Sequence, residues 1–150
     1  MVMKNFNCGI LLFGLGVSVV LGGCQPKPSL VGTWEGEVGE DGRGLLLTTV
    51  YHNEKEMSAI LMAPGLVSHI DSTYTFDGKT LVSTATGVEV KADDPKIRKT
   101  LEEVGKKEIG QTLTSTVVFD GPDEMTQKRE SGAVWGSLRR HSQEVKVQIA

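Results

Sequence analysis

Ser72-Thr73-Tyr74-Thr75-Phe76-Asp77-Gly78-Lys79-Thr80-Leu81-Val82-Ser83-Thr84 decides the fold. Two runs rich in β-branched and aromatic residues flank an Asp-Gly pair, one of the strongest short-range signals for a tight hairpin. The same chemistry returns 43 residues further on, in Ser115-Thr116-Val117-Val118-Phe119-Asp120-Gly121. The echo reads as one local solution used twice, a β-branched strand closing on Phe before an Asp-Gly turn, rather than as a duplicated unit.

Outward from this hairpin, period-two runs follow one another with turn residues between them. They predict strands near Gly32–Val38, Arg43–His52, Met57–Ala63, Val67–Phe76, Thr80–Val90, Gln111–Phe119, Met125–Glu130 and Ala133–Arg140. The connections carry Glu40-Asp41-Gly42, His52-Asn53-Glu54, Pro64-Gly65, Asp120-Gly121-Pro122 and Ser131-Gly132, and their shortness makes sequential strands antiparallel neighbours. Asp93–Glu108 breaks the pattern. Asp94 can cap, Pro95 suits the first helical turn, and Ile97, Leu101 and Val104 share a face. The expectation is an all-β domain, an antiparallel up-and-down meander or barrel of about eight strands, with one amphipathic helix inserted between strands. Residues 144–150 alternate Val145, Val147 and Ile149, and read equally as a ninth strand or a frayed end.

Composition sets limits on function. The chain has 150 residues, 39% hydrophobic and 23% charged, with 18 glycines and a net charge of −3. That supports one domain with a real core. A mildly acidic chain whose only basic patch is Arg139-Arg140-His141 is poorly suited to nucleic acid. Cys8 and Cys24 are the only cysteines, so no disulfide framework is expected.

The amino-terminal end reads as a targeting device. Lys4 supplies a positive region, and Gly9–Gly23 supplies 15 mostly apolar residues, too short for a mature membrane-spanning helix. Leu21-Gly22-Gly23-Cys24 resembles the lipobox of bacterial lipoproteins. The resemblance implies cleavage before Cys24 and acylation of its thiol, with several acyl chains making attachment lasting. Gln25, where enteric-type sorting would need Asp for retention, implies delivery to the outer membrane of a host that has one, with the domain facing the periplasm. Gln25-Pro26-Lys27-Pro28-Ser29 makes a polyproline-prone tether of ~15 Å at ~3.1 Å per residue. The expected organisation is a signal peptide over 1–23, a lipidated Cys24 and tether over 24–29, and a barrel over 30–150.

Gly32-Thr33-Trp34 at the start of the first strand resembles the Gly-x-Trp opening of lipocalin-like domains. The family likeness implies that Trp34 plugs the closed end and stacks with an Arg of the last strand, here Arg139 or Arg140. It also implies a small apolar ligand, with a candidate pocket at Leu45, Leu47, Tyr51, Met57 and Leu61, which alternate with more polar neighbours. The alternative is a filled barrel acting through its surface as an envelope interaction or accessory protein.

Other chemistry has less support. His52-x-Glu54-x-Glu56 with His69-x-Asp71 could ligate zinc, but Asn53-Glu54-Lys55-Glu56 also reads as a solvated turn. No nucleophile elbow or phosphate-cradling Gly-rich loop is present, and Asp93-Asp94, Glu102-Glu103 and Asp123-Glu124 read as water-facing acids. No catalytic residue, metal or cofactor is therefore assigned. The partners expected are membrane lipid through Cys24 and a small apolar ligand; no protein partner can be named.

Overall fold

The computed structural model describes residues 28–39 and 44–141. Eight strands form a closed antiparallel barrel in chain order: β1 Gly32–Val38, β2 Leu45–Tyr51, β3 Glu56–Ala63, β4 Leu66–Phe76, β5 Thr80–Ala92, β6 Thr112–Gly121, β7 Glu124–Arg129 and β8 Val134–Arg140. The helix α1, Pro95–Glu108, lies between β5 and β6. Closure is made by β8 on β1, with Trp34 opposite Arg140 and Val38 opposite Gly136. The expected meander, its closure and its inserted helix are thus present. The segment expected to be a signal peptide, Cys24, the expected Glu40-Asp41-Gly42 turn and the carboxy-terminal alternation lie outside the described residues.

The turns form for local reasons. In the hairpin that decides the fold, Asp77 Oδ1 accepts from the backbone N–H of Lys79 at 2.8 Å and of Thr80 at 2.6 Å. Gly78 takes the left-handed φ of 104° that this turn demands. Those donors hold the Asp77 carboxyl below its usual pKa. Asn53 does the same for the β2–β3 turn, its Oδ1 accepting from Lys55 N at 2.8 Å and Glu56 N at 3.0 Å. The echo diverges at its end. Asp120 accepts from Thr126 Oγ1 at 2.6 Å, and the β6–β7 register shifts between Phe119 and Gly121.

Alternation then sorts side chains to two faces. Trp34 on β1, Leu47 and Tyr51 on β2, Tyr74 on β4, Leu81 on β5, Val117 on β6, Met125 on β7 and Leu138 on β8 are buried and form one core with Leu30 and Val38. The β1–β8 seam is pinched. A Cβ on Gly36 would come within 2.1 Å of the Ser137 carbonyl oxygen, and one on Gly136 within 2.5 Å of Val38 Cγ1. Glycine at both positions lets the two strands share the inner face with Leu138 and Val38.

The helix starts as its sequence dictates. Asp94 Oδ1 caps it, accepting from Lys96 N at 2.7 Å and Ile97 N at 3.3 Å, and Pro95 opens the first turn. Lys106 and Lys107 stand in the last turn, where a cation suits the helix dipole. Its backbone packs on β5 alone. Gly105, its one buried residue, makes this approach, since a Cβ there would lie 2.6 Å from Val88 Cγ1. Leu101, Val104, Gly105 and Glu108 face a groove completed by Leu45, Leu61, Met62, Leu66, Ile70 and Val90 from the strands.

Candidate functional site

The barrel has unlike ends. At one, β1 begins and β8 finishes; Trp34 is wholly buried and its Nε1 donates to the Leu30 carbonyl at 2.7 Å. The Arg140 guanidinium covers the indole, with Cζ 4.5 Å from the ring centroid. Its Nη1 and Nη2 donate to the carbonyls of Val31 at 3.2 Å and Ser29 at 2.8 Å, and Asp123 lies 3.8 Å from Nε. Phe119 packs against Trp34 at 6.1 Å between ring centroids and against Phe76 at 6.2 Å. This end is plugged by Trp34, Phe119 and Arg140 and tied to the segment through which the chain arrives. Of the two arginines considered for the stack, Arg140 occupies it. Arg139 points outward and pairs with Glu124 at 3.1 Å.

The other end is a mouth. Between the plug and α1 lies a cavity of about 330 Å³. Leu47, Met57, Ala59, Leu61, Ile70 and Leu81 supply apolar wall, while Thr49, Ser72, Ser83 and Ser115 supply hydroxyls. Tyr51 and Gln127 meet across it, Nε2 of Gln127 donating to the Tyr51 hydroxyl at 3.2 Å. The Tyr51 ring stands edge-on to Tyr74, centroids 5.0 Å apart, and Tyr74 donates its own hydroxyl to the Asn53 carbonyl at 2.6 Å. Burial pushes the Tyr51 phenol well above its ordinary pKa, against the opposing hydrogen bond from Gln127. Glu108, Gln111, Thr112, Leu113 and Trp135 ring the opening.

Of the five pocket residues expected from sequence, Leu47, Tyr51, Met57 and Leu61 line this cavity. Leu45 does not. It shares their alternation, but it begins β2 at the mouth, where it is 40% exposed and faces the groove under α1. Gln127 and Trp135 were not anticipated. Their signal was available in β7 and β8, where Gln127 alternates with the buried Met125, and Trp135 stands at the strand start.

Exposed large apolar side chains cluster at the mouth. Leu45, Leu46, Val67, Leu113 and Val134 sit at strand ends there, and Ile97, Val104 and Ile109 on or beside α1. Toward the opposite end Val31 and Val118 are comparable. The histidine and acid clusters have other uses. His52 Nε2 bonds Ser58 Oγ at 2.9 Å, Asn53 Nδ2 donates to Glu56 at 2.8 Å, and His69 lies 3.3 Å from Asp71. Among the described residues no group of three or more His, Cys, Asp or Glu side chains is placed to hold a metal ion. No helix among them is long and apolar enough to cross a membrane.

Compared with known proteins, the sequence matches no family model and no curated protein, and no solved structure matches the fold. The site therefore has to be read from its own geometry, an eight-stranded barrel plugged at one end and hollow at the other.

Proposed function

We propose that this chain is a lipid-anchored binding protein of the cell envelope, whose lipocalin-like barrel holds a small, mostly apolar molecule and carries out no chemistry on it. The observation that carries the reading is the cavity of about 330 Å³ between Tyr51 and the mouth. Its size falls within the ~300–1,000 Å³ of small-ligand sites, and its mix of apolar wall and a few convergent polar groups is typical of them. A barrel acting only through its surface has no need of such a space, since side chains can fill eight strands completely. The apolar rim supports the same reading, because a hydrophobic ligand crossing from one carrier or surface to another needs a greasy threshold.

The anchor rests on the sequence: Lys4, the apolar Gly9–Gly23 and Leu21-Gly22-Gly23-Cys24. An anchor there would have a direction. Residues 28–31 arrive at the plugged end, held by Arg140, while the mouth opens at the other. An acylated Cys24 would thus place the plug toward the lipid and the mouth toward the aqueous side. Ligand would then enter from the periplasm of a two-membrane host and not from the leaflet that holds the anchor.

Native mass spectrometry of the protein purified from its own envelope, with solvent extraction of what it carries, tests the binding reading. A discrete adduct absent after extraction is expected; a bare barrel that also takes up no apolar dye would reject it. Cys24→Ser tests the anchor separately, because it should move the protein from membrane to soluble fractions.

A further inference from the structure

Resting on the reading of the cavity as a binding site, we infer that it takes an uncharged amphiphile, a hydrocarbon body bearing one hydrogen-bond-accepting oxygen, and turns away the anionic counterpart of the same length. The lining contains no Lys, Arg or His. Its ionisable members are Glu108, at the end of α1 beside the opening, and the buried Tyr51. A carboxylate drawn into this space would lose its water and find no positive partner in the lining, since Arg129 lines only the hollow that adjoins the opening at Leu113 and Trp135. A hydroxyl, ester or ketone loses far less on burial and needs only a donor.

Tyr51 provides that donor. It is 1% exposed, its oxygen accepts from Gln127, and among the described residues no acceptor is placed for its own proton. A phenol keeps its proton at neutral pH even at its ordinary pKa, and burial pushes Tyr51 further in that direction. Thr49, Ser72 and Ser115, all buried, surround the same level with hydroxyls that either donate or accept. Deep in the barrel the polar demand is thus met by neutral groups alone. At interior packing density a cavity of about 330 Å³ holds about a dozen non-hydrogen atoms, so a chain of about ten carbons with one oxygen fits it.

Trp135 lines the opening and Trp34 lies in the plug, so the two indole N–H signals of a ¹H–¹⁵N spectrum report the cavity and the fold independently. The probes are decan-1-ol, decanoate and naphthalene, titrated at neutral pH into the full barrel. Decan-1-ol should shift the Trp135 signal and bind at least about tenfold tighter than decanoate, as expected where a charge must be desolvated without a partner. Equal affinities would overturn the inference, and with naphthalene also bound the cavity reading would still stand. If none of the three moves Trp135, the cavity reading fails and takes this inference with it. Tyr51→Phe, with the Trp34 signal unchanged as proof of folding, should weaken decan-1-ol by about three- to tenfold and leave naphthalene alone. Equal loss for both would remove Tyr51 from the role of donor.

Discussion

Arg140 lies over Trp34 with its Cζ 4.5 Å from the indole centroid, and the same guanidinium holds the carbonyls of Ser29 and Val31. One side chain therefore lids the plug and staples the incoming chain to it. The indole below is held in turn, since its Nε1 donates to Leu30 O at 2.7 Å. Arg140→Ala removes the stack and two charge-assisted hydrogen bonds, and should cost about 2 kcal/mol. Arg139, whose side chain is 82% exposed and pairs with Glu124, should cost under about 0.5 kcal/mol when changed to Ala. Urea unfolding of the two variants checks the contrast; equal losses would mean the stack contributes nothing.

A second prediction concerns the seam where the barrel closes. Gly36→Ala puts a methyl where the Ser137 carbonyl already stands, 2.1 Å from the new carbon. The obstacle is backbone and cannot rotate away, so β1 and β8 must part, at a cost of about 3 kcal/mol or more. Gly78→Ala meets nothing within 4 Å, and its penalty comes only from the φ of 104°, about 1–2 kcal/mol. Differential scanning calorimetry should show the larger fall in Tm for Gly36→Ala.

Alkaline stability should depend on Tyr51. Its folded-state pKa is raised above the ordinary phenol value of 10.0, chiefly by burial. The folded protein then holds a proton that the unfolded chain releases. Stability is intact below pH 10.0 and is lost progressively as pH rises from there toward the raised value. Tyr74, raised by partial burial and by Glu54, acts in the same direction. Tyr51→Phe should flatten the alkaline limb of a urea-midpoint against pH curve more than Tyr74→Phe does. An unchanged slope in Tyr51→Phe would mean the phenol is not kept dry.

The barrel was legible in the sequence because its cues are local. Asp77-Gly78 fixes a hairpin through two backbone hydrogen bonds to one carboxylate, and Asp94-Pro95 fixes a helix start, so both elements lie within a few residues of their expected bounds. The cavity was legible only in part, because alternation tells which face a residue takes but not its height in the barrel. Leu45 and Leu47 share a face; one stands at the rim under α1 and the other on the cavity wall. Gln127 was missed for a related reason. A polar residue within the strand reads as solvent-facing until its partner, Tyr51, appears 76 positions away. The choice between Arg139 and Arg140 likewise depended on register, which the pairing of Trp34 with Arg140 settles.

The last prediction separates a hollow barrel from a filled one by filling it. Ala59 is half-buried on β3 and lines the cavity beside Leu47 and Leu61. Ala59→Phe adds a ring where ligand would lie, and the open mouth lets that ring be accommodated without the overpacking cost of a closed core. Stability should therefore change by under about 1.5 kcal/mol, while uptake of an apolar dye falls at least about tenfold. Leu45→Ser provides the control. Its side chain lines the groove under α1 at the rim and not the cavity wall, so dye uptake should stay within about twofold of the parent. The comparison is made on fluorescence titrations of matched, folded samples. If Ala59→Phe binds dye as the parent does, the dye sits elsewhere, and the apolar rim formed by Leu46, Leu113 and Val134 becomes the surface to examine. If Leu45→Ser loses binding as well, the groove under α1 and the cavity act as one site, with the helix as one of its walls.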